Sequence, residues 1–322
     1  KTTVQIELDY PAKTQGSVIE EMVRAKLVEA GIPADVKISQ NIIAHEVQRG
    51  VKVFDSVRNI IAVSSGKGGV GKSTVSANLA LALQQEGAKV GLLDADVYGP
   101  SQPTMLGITD KPYSVDGKTL EPMVAHGLQV ASVGVLIDPD QPMIWRGPLA
   151  VSALQQLLKQ TNWKDLDYLI VDMPPGTGDI QLSLSQEVPL TGAVVVTTPQ
   201  DIALMDARKG LVMFEKVNVP ILGIIENMAT HICSKCGHEE HIFGEGGAAK
   251  MAAQYGVELL GELPLDINIR LSMDKGEPIV ISDPDSKVAQ AYREIARKLA
   301  VAVSKKNKDY SAKMPSIKVS DT

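Results

Sequence analysis

Residues 66–74, Gly-Lys-Gly-Gly-Val-Gly-Lys-Ser-Thr, lie between an apolar run at 60–63 and a stretch repeating Val75, Leu79 and Leu83 at helical spacing. The pattern Gly66-x-x-x-x-Gly71-Lys72-Ser73 between a strand and a helix builds a phosphate cradle. Gly66, Gly68, Gly69 and Gly71 let successive backbone N–H groups, that of Val70 included, converge on phosphate oxygens without a Cβ in the way. The helix start adds its positive end. Lys72 is placed to reach the β and γ phosphates of ATP, and the Ser73 hydroxyl, beside Thr74, to ligate Mg2+. Asp94 and Asp96 follow the apolar run at 90–93, and Asp172 follows the run at 168–171. A carboxylate just beyond a buried strand can orient magnesium-bound water or polarise an attacking water, and Asp172 reads as the Walker B residue. Strand-terminal aspartates also serve simply as caps of the next helix.

The chain's two cysteines, Cys233 and Cys236, lie in His-Ile-Cys-Ser-Lys-Cys-Gly-His-Glu-Glu-His at 231–241. Two cysteines so close together are no secreted disulfide framework. Lys235 and the histidines favour thiolate, the form that binds metal. Three uses fit the pair. Cys233, Cys236, His238 and His241 could hold a structural zinc within one chain, although the Cys-to-His gaps are much shorter than in ordinary fingers. A redox dithiol is the second use, although such pairs sit at a helix start and these fall in a loop. The third joins two chains about a two-fold axis, giving four thiolates around one [4Fe-4S] cluster.

These groups need a frame, and 322 residues with 44% hydrophobic and 22% charged content suffice for one large core and something smaller. A formal net charge of -6 argues against nucleic acid. No run nears the ~20 apolar residues that cross a bilayer, and no secretory pattern opens the sequence, so the expectation is a cytoplasmic chain without a membrane partner. Residues 1–50 read as a small α+β module: Val4, Ile6 and Leu8 alternate as in a strand, Val18, Met22 and Leu27 share a helical face stopped by Gly31, and 34–39 make another strand. Residues 51–58 read as a linker. Across 59–304, apolar runs at 60–63, 90–93, 168–171, 193–196, 221–225 and 257–261 alternate with helix-length segments, which predicts a doubly wound, mostly parallel α/β sheet. Asp116-Gly117 predicts a hairpin within 110–135. Val288, Tyr292, Ile295, Leu299 and Val303 form the stripe of a closing helix, for packing on the sheet or, alternatively, for seeking a membrane surface. Residues 305–322 are polar enough for a flexible tail.

Lys67 departs from a plain P-loop, because its side chain cannot easily fold back onto its own phosphates. With it, residues 66–74 resemble the deviant Walker A motif of the SIMIBI-class NTPases, which include nitrogenase iron protein and the MinD/ParA ATPases. The resemblance implies a homodimer in which Lys67 reaches the partner's nucleotide. It also implies a first switch at Asp96 near Mg2+ and the attacking water, a second switch at 174–179, and Asn227 hydrogen-bonding adenine. The order of 66–74, 94–101, 143–148, 172–179, 197–204, 226–228, the Cys233–Gly237 motif and 242–247 is similar to that of the Mrp/ApbC iron–sulfur cluster carrier ATPases over about 59–303. The first fifty residues resemble, in shortened form, the MIP18-like domain often fused ahead of them. That family implies ATP, Mg2+ and a [4Fe-4S] cluster, weak ATP hydrolysis, client apoproteins and cluster assembly scaffolds as partners. It implies Lys67, Lys72 and Asp96 as catalytic residues, Ser73 and Asp96 as magnesium ligands, and Cys233 and Cys236 as cluster ligands. A MinD/ParA-like positioning ATPase and a nitrogenase-like reductase are the alternatives.

Overall fold

The computed structural model describes residues 2–48, 51–135, 147–233 and 235–309; most of the motif at 143–148 and of the expected tail lie outside the described residues. β1 (Thr2–Leu8), α1 (Gly16–Glu29) and β2 (Ala34–Gln40) form a small α+β unit whose two strands pair in parallel, Val4 beside Val36. Gly31 follows α1 with φ 73, a left-handed stop. The apolar stripe read on this helix does not become a core, however: α1 buries none of its residues, and Met22 is 65% exposed. Two strands offer too little surface to cover it.

The rest of the chain runs through β3 (Val57–Ser64), α2 (Lys72–Gln85), β4 (Val90–Asp94), α3 (Gln102–Met105), β5 (Met123–Ala125), β6 (Leu128–Ser132), α4 (Gly147–Gln160), β7 (Leu166–Asp172) and α5 (Asp179–Glu187). It continues through β8 (Gly192–Thr197), α6 (Asp201–Lys216), β9 (Ile221–Glu226), β10 (His231–Ile232), β11 (Glu239–Glu240), α7 (Gly247–Tyr255), β12 (Leu259–Glu262), α8 (Ile267–Asp274), α9 (Ile279–Ser282) and α10 (Lys287–Ser304). Eight strands make one sheet in the order β12-β9-β8-β3-β7-β4-β6-β5. Its neighbours are parallel except for β5 against β6. Central β3 sends Ile61 and Val63 into the layer under α2 and α10, and Ile60 and Ala62 into the layer formed with α4 to α7. Burial on both faces is why its apolar run is continuous and not alternating. All six runs expected as strands are strands, and the sheet is doubly wound.

Val288, Tyr292, Ile295, Leu299 and Val303 are all buried, so the stripe of α10 is a packing face and is not presented to a membrane. Among the described residues no helix is long and apolar enough to cross one.

Three expectations change. The hairpin forms at His126-Gly127, between β5 and β6, ten residues beyond Asp116-Gly117. His126 (φ 48) and Gly127 (φ 84) both take the left-handed conformation that a two-residue hairpin turn demands. The Asp116 carboxylate instead accepts the N–H groups of Lys118 and Thr119 at 2.8 and 2.7 Å, closing a local turn with no ladder beside it. The expected linker is also shorter, since β3 already begins at Val57. Just ahead of it, buried Gln48 donates to the carbonyls of Ser185 and Val188 and accepts from the N–H of Leu190. Finally, the polar stretch from 305 is anchored at its start. Lys308 bridges His45, and the N–H groups of Glu46 and Asp309 bond the carbonyls of Asn307 and Ala44 at 2.9 and 3.0 Å.

Candidate functional site

Register sets the site. Val63 of β3 pairs with Asp172 of β7, and Asp172 with Asp94 of β4, so three strands end side by side, where open parallel sheets hold their ligands. The loop leaving β3 lies directly on the backbone of α6: a Cβ at Gly66 would stand 2.1 Å from the carbonyl carbon of Asp206. Only glycine fits there. Gly69 and Gly71 adopt φ 83 and 81, and a Cβ at Gly71 would meet Asn227 Nδ2 at 2.3 Å. Gly68 differs from these three. A Cβ there would meet only Pro175 Cγ, at 3.9 Å, so the protein's own packing does not demand glycine at Gly68. The Asn227 amide, reaching over from the end of β9, donates to the Val70 carbonyl at 2.8 Å and holds the loop's apex. No side chain caps α2, so its first-turn N–H groups stay available to an anion.

Lys72 is buried, with Nζ 2.6 Å from Asp172 Oδ1, 3.1 Å from Ser73 Oγ and 3.9 Å from Asp96 Oδ2. Asp172 is fully buried and also accepts from Ser76 Oγ at 2.8 Å and Gln102 Nε2 at 2.9 Å. Asp94 braces the loop that follows β4, accepting the backbone N–H groups of Asp96, Ser101 and Gln102 and the Ser132 hydroxyl at 3.0–3.2 Å. Burial, aided by the nearby Asp172 charge, pushes Asp94 up to about 7. Burial raises Asp96 as well, against the pull of Lys72. One lysine thus faces three carboxylates, a deficit of positive charge that suits a divalent cation. Gln102 Oε1 is buried without a partner in the same cluster, while its Nε2 also bonds the Ser73 carbonyl at 3.0 Å. Sequence reasoning missed Ser76, Gln102 and this role of Asp94. Ser76 could have been found, one helical turn after Lys72 and on the same face.

Lys67 is half-buried, and its amine has no ion pair or hydrogen bond among the described residues. Behind the cradle, Gly71, Thr74 and Asn227 open onto a cavity of about 230 Å³ with walls from Met105, Leu265 and Met273, flat apolar surface beside a polar amide. The Gly176 N–H bonds the Ser65 carbonyl at 2.8 Å, tying the loop of 174–179 to the base of the cradle.

Past Asn227 the chain crosses to β10. The N–H of Ala229 bonds the Leu263 carbonyl at 2.9 Å, and that of Leu265 the Thr230 carbonyl at 2.7 Å. β10 and β11 then pair as a two-rung hairpin whose tip carries both cysteines. The Cys233 N–H bonds the His238 carbonyl and the Gly237 N–H the Cys233 carbonyl, both at 2.8 Å, with Gly237 left-handed at φ 70. Cys233 is half-buried and Cys236 exposed. The N–H groups of Lys235 and Cys236, turned toward the Cys233 sulfur, hold its thiol below the ordinary value. This knuckle keeps Cys236 at the surface. His241 directs Nδ1 to the Ala229 carbonyl at 3.0 Å, and among the described residues no three His, Cys, Asp or Glu side chains gather as a metal site. Among the described residues the one-chain zinc site with His238 and His241 is not assembled, and the pair lies at a hairpin tip, away from the helix start that a redox dithiol uses.

Residues 56–300 match the ParA-group family of NUBPL iron-transfer P-loop NTPases. The chain is 55% identical over 303 residues to the iron-sulfur cluster carrier protein of Salmonella typhimurium, covering 92% of this chain and 82% of that protein. It is 51% identical over 247 residues to the iron-sulfur cluster transfer protein NUBPL of Mus musculus, covering 76% and 77%. Among solved structures, it resembles the nucleotide-binding protein of Archaeoglobus fulgidus in complex with ADP, with TM-score 0.64 and 37% identity over 73% of this chain and 92% of that one. The cell division ATPase MinD of Pyrococcus furiosus follows with TM-score 0.57 and 25% identity over 75% and 98%.

Proposed function

Because the chain belongs to the NUBPL iron-transfer P-loop NTPase family, we propose that it binds ATP at 66–74 and carries an iron–sulfur cluster, as cargo, on Cys233 and Cys236 for delivery to apoproteins. The observation that carries this reading is the hairpin tip, which turns backbone N–H groups onto one sulfur and leaves the other exposed. Two thiolates fill half of a [4Fe-4S] cluster's ligand set, so a second copy supplies the other two across a two-fold axis. Cluster assembly scaffolds load it and client apoproteins unload it. An exposed cluster on an interface is suited to transfer.

At the nucleotide, Lys72 exchanges Asp172 for the β and γ phosphates, and the freed Asp172 stays fixed by Ser76 and Gln102. Ser73 and Asp96 would hold Mg2+, which supplies neutralisation of phosphate charge and of the surplus carboxylates. Asp96 orients the attacking water, Lys67 of each chain reaches the other's triphosphate, and Asn227 fixes the base against the 230 Å³ cavity. Hydrolysis is slow and serves cluster carriage.

The test is the iron and acid-labile sulfide content of the anaerobically reconstituted chain, with its oligomeric mass. About two iron atoms per chain in a dimer are expected, and Cys233→Ala or Cys236→Ala should abolish the load while ATP still binds. A monomer holding a single metal ion, or a cysteine variant keeping its full load, would overturn the reading.

A further inference from the structure

One recess breaks with the acidic balance of the molecule. Between α5 and α6 lies a cavity of about 440 Å³ whose α6 wall presents Arg208, Val212 and Lys216 along one i, i+4 row, with Lys209 beside them. Leu182 of α5 forms the apolar opposite wall and Thr177 closes one end. Lys209 pairs with Asp206 at 2.9 Å, but Arg208 and Lys216 have no carboxylate partner among the described residues. Among the described residues no acidic side chain lines the recess. In a chain of formal net charge -6, uncompensated cations around an apolar floor are a local exception to the field of the whole molecule.

We propose that this recess docks a short acidic segment of a partner protein, an apolar side chain entering between Leu182 and Val212 while flanking carboxylates meet Arg208 and Lys216. The long-range field decides among anionic partners. An extended polyanion or an anionic bilayer meets the field of a whole chain of net charge -6, whereas a few residues of peptide meet chiefly Arg208 and Lys216. Docking here also reaches the nucleotide loop. Thr177 lies in the segment 174–179, where Gly176 bonds Ser65 at the base of the cradle and the Pro175 carbonyl accepts from the Gln181 side chain. A ligand against Thr177 therefore biases the loop that begins two residues after Asp172, and the partner sets the rate of ATP turnover. The effect on turnover rests on the nucleotide reading of the site; the docking does not.

The probe is a fluorescein-labelled peptide of alternating aspartate and leucine, compared with its lysine–leucine counterpart, a random DNA oligonucleotide and vesicles containing phosphatidylserine, using the full chain. The acidic peptide should bind more weakly as salt rises, and Arg208→Glu with Lys216→Glu should cut its affinity by about tenfold or more while the basal ATPase rate stands. Saturating peptide should change the ATPase rate of the wild-type chain and leave that of the double variant alone. Binding without a rate change would overturn the coupling alone. Equal binding of both peptides, indifference to the charge reversal, preference for DNA or vesicles, or loss of self-association in the double variant would overturn the docking site. Iron and sulfide content of the same preparations reports separately on cluster carriage.

Discussion

Lys72 does two jobs that pull in different directions. In the proposed reading a bound nucleotide takes it to phosphate; in the structure it is the cation that balances buried Asp172, 2.6 Å away, with Asp96 at 3.9 Å. Removing it should therefore cost stability as well as nucleotide binding. Lys72→Ala leaves a buried carboxylate uncompensated, at about 3–5 kcal/mol near neutral pH. The sign of its pH dependence follows from Asp96, which burial raises and the Lys72 charge lowers. Loss of the lysine removes that pull and raises Asp96 further. A group raised in the folded state contributes stability that is full below its unfolded value and is lost as pH climbs through the folded one. The variant's deficit should then shrink between about pH 8 and about pH 5. Denaturant titrations of both proteins at the two pH values measure it. An equal deficit at both would mean that Lys72 does not neutralise the carboxylates.

α2 carries the cradle at one end and the small N-terminal unit at the other. Its C-cap, Glu86, is wholly buried and accepts from the Thr14 N–H at 3.0 Å, the Thr14 hydroxyl at 2.7 Å and the Arg297 guanidinium of α10 at 2.6 Å. Arg297→Met should leave that carboxylate half-satisfied, cost about 3 kcal/mol, and speed amide exchange around residues 13–15, where the Lys13 N–H bonds the Glu86 carbonyl. Unchanged exchange there would place the unit's anchorage elsewhere, at His45 and Gln48. At this scale the limits of the sequence become physical. Runs such as 60–63 were legible because two-sided burial leaves one unbroken apolar signal, and Gly66 to Ser73 because phosphate geometry dictates their spacing. Asp116-Gly117 and His126-Gly127 are both good turn pairs. What decides between them is the long-range pairing of β6 on β4, Leu92 beside Val130. Nothing local marks Gln48 and Gln102 as buried, since what buries a glutamine is a set of partners such as Ser185 and Asp172, 137 and 70 residues away along the chain. The spacing around the two cysteines left a zinc, a redox dithiol and a shared cluster open, and that His241 turns to the Ala229 carbonyl depends on the crossing from β9 to β10.

In the proposed reading the molecule holds two half-sites, a Lys67 without a partner among the described residues and a two-thiol knuckle, each of which a second copy would complete. Two chains of net charge -6 repel at distance, so association must rest on short-range surface. Ile202 and Met205, 68% and 58% exposed and one turn apart on α6, supply apolar area beside the Gly66 contact. Mixing variants tests whether Lys67 acts across such an interface. In a dimer of one Lys67→Ala chain with one Asp96→Asn chain, a trans-acting lysine leaves one complete site: the Lys67→Ala chain keeps its own Asp96 and receives its partner's Lys67. The other site lacks both groups. If each variant alone is inactive, an equal mixture of freely exchanging chains should recover about one quarter of the wild-type ATPase rate, since half the dimers are mixed and each mixed dimer works at one site. A lysine acting on its own nucleotide leaves both sites of the mixed dimer broken, and the mixture would stay as inactive as its components.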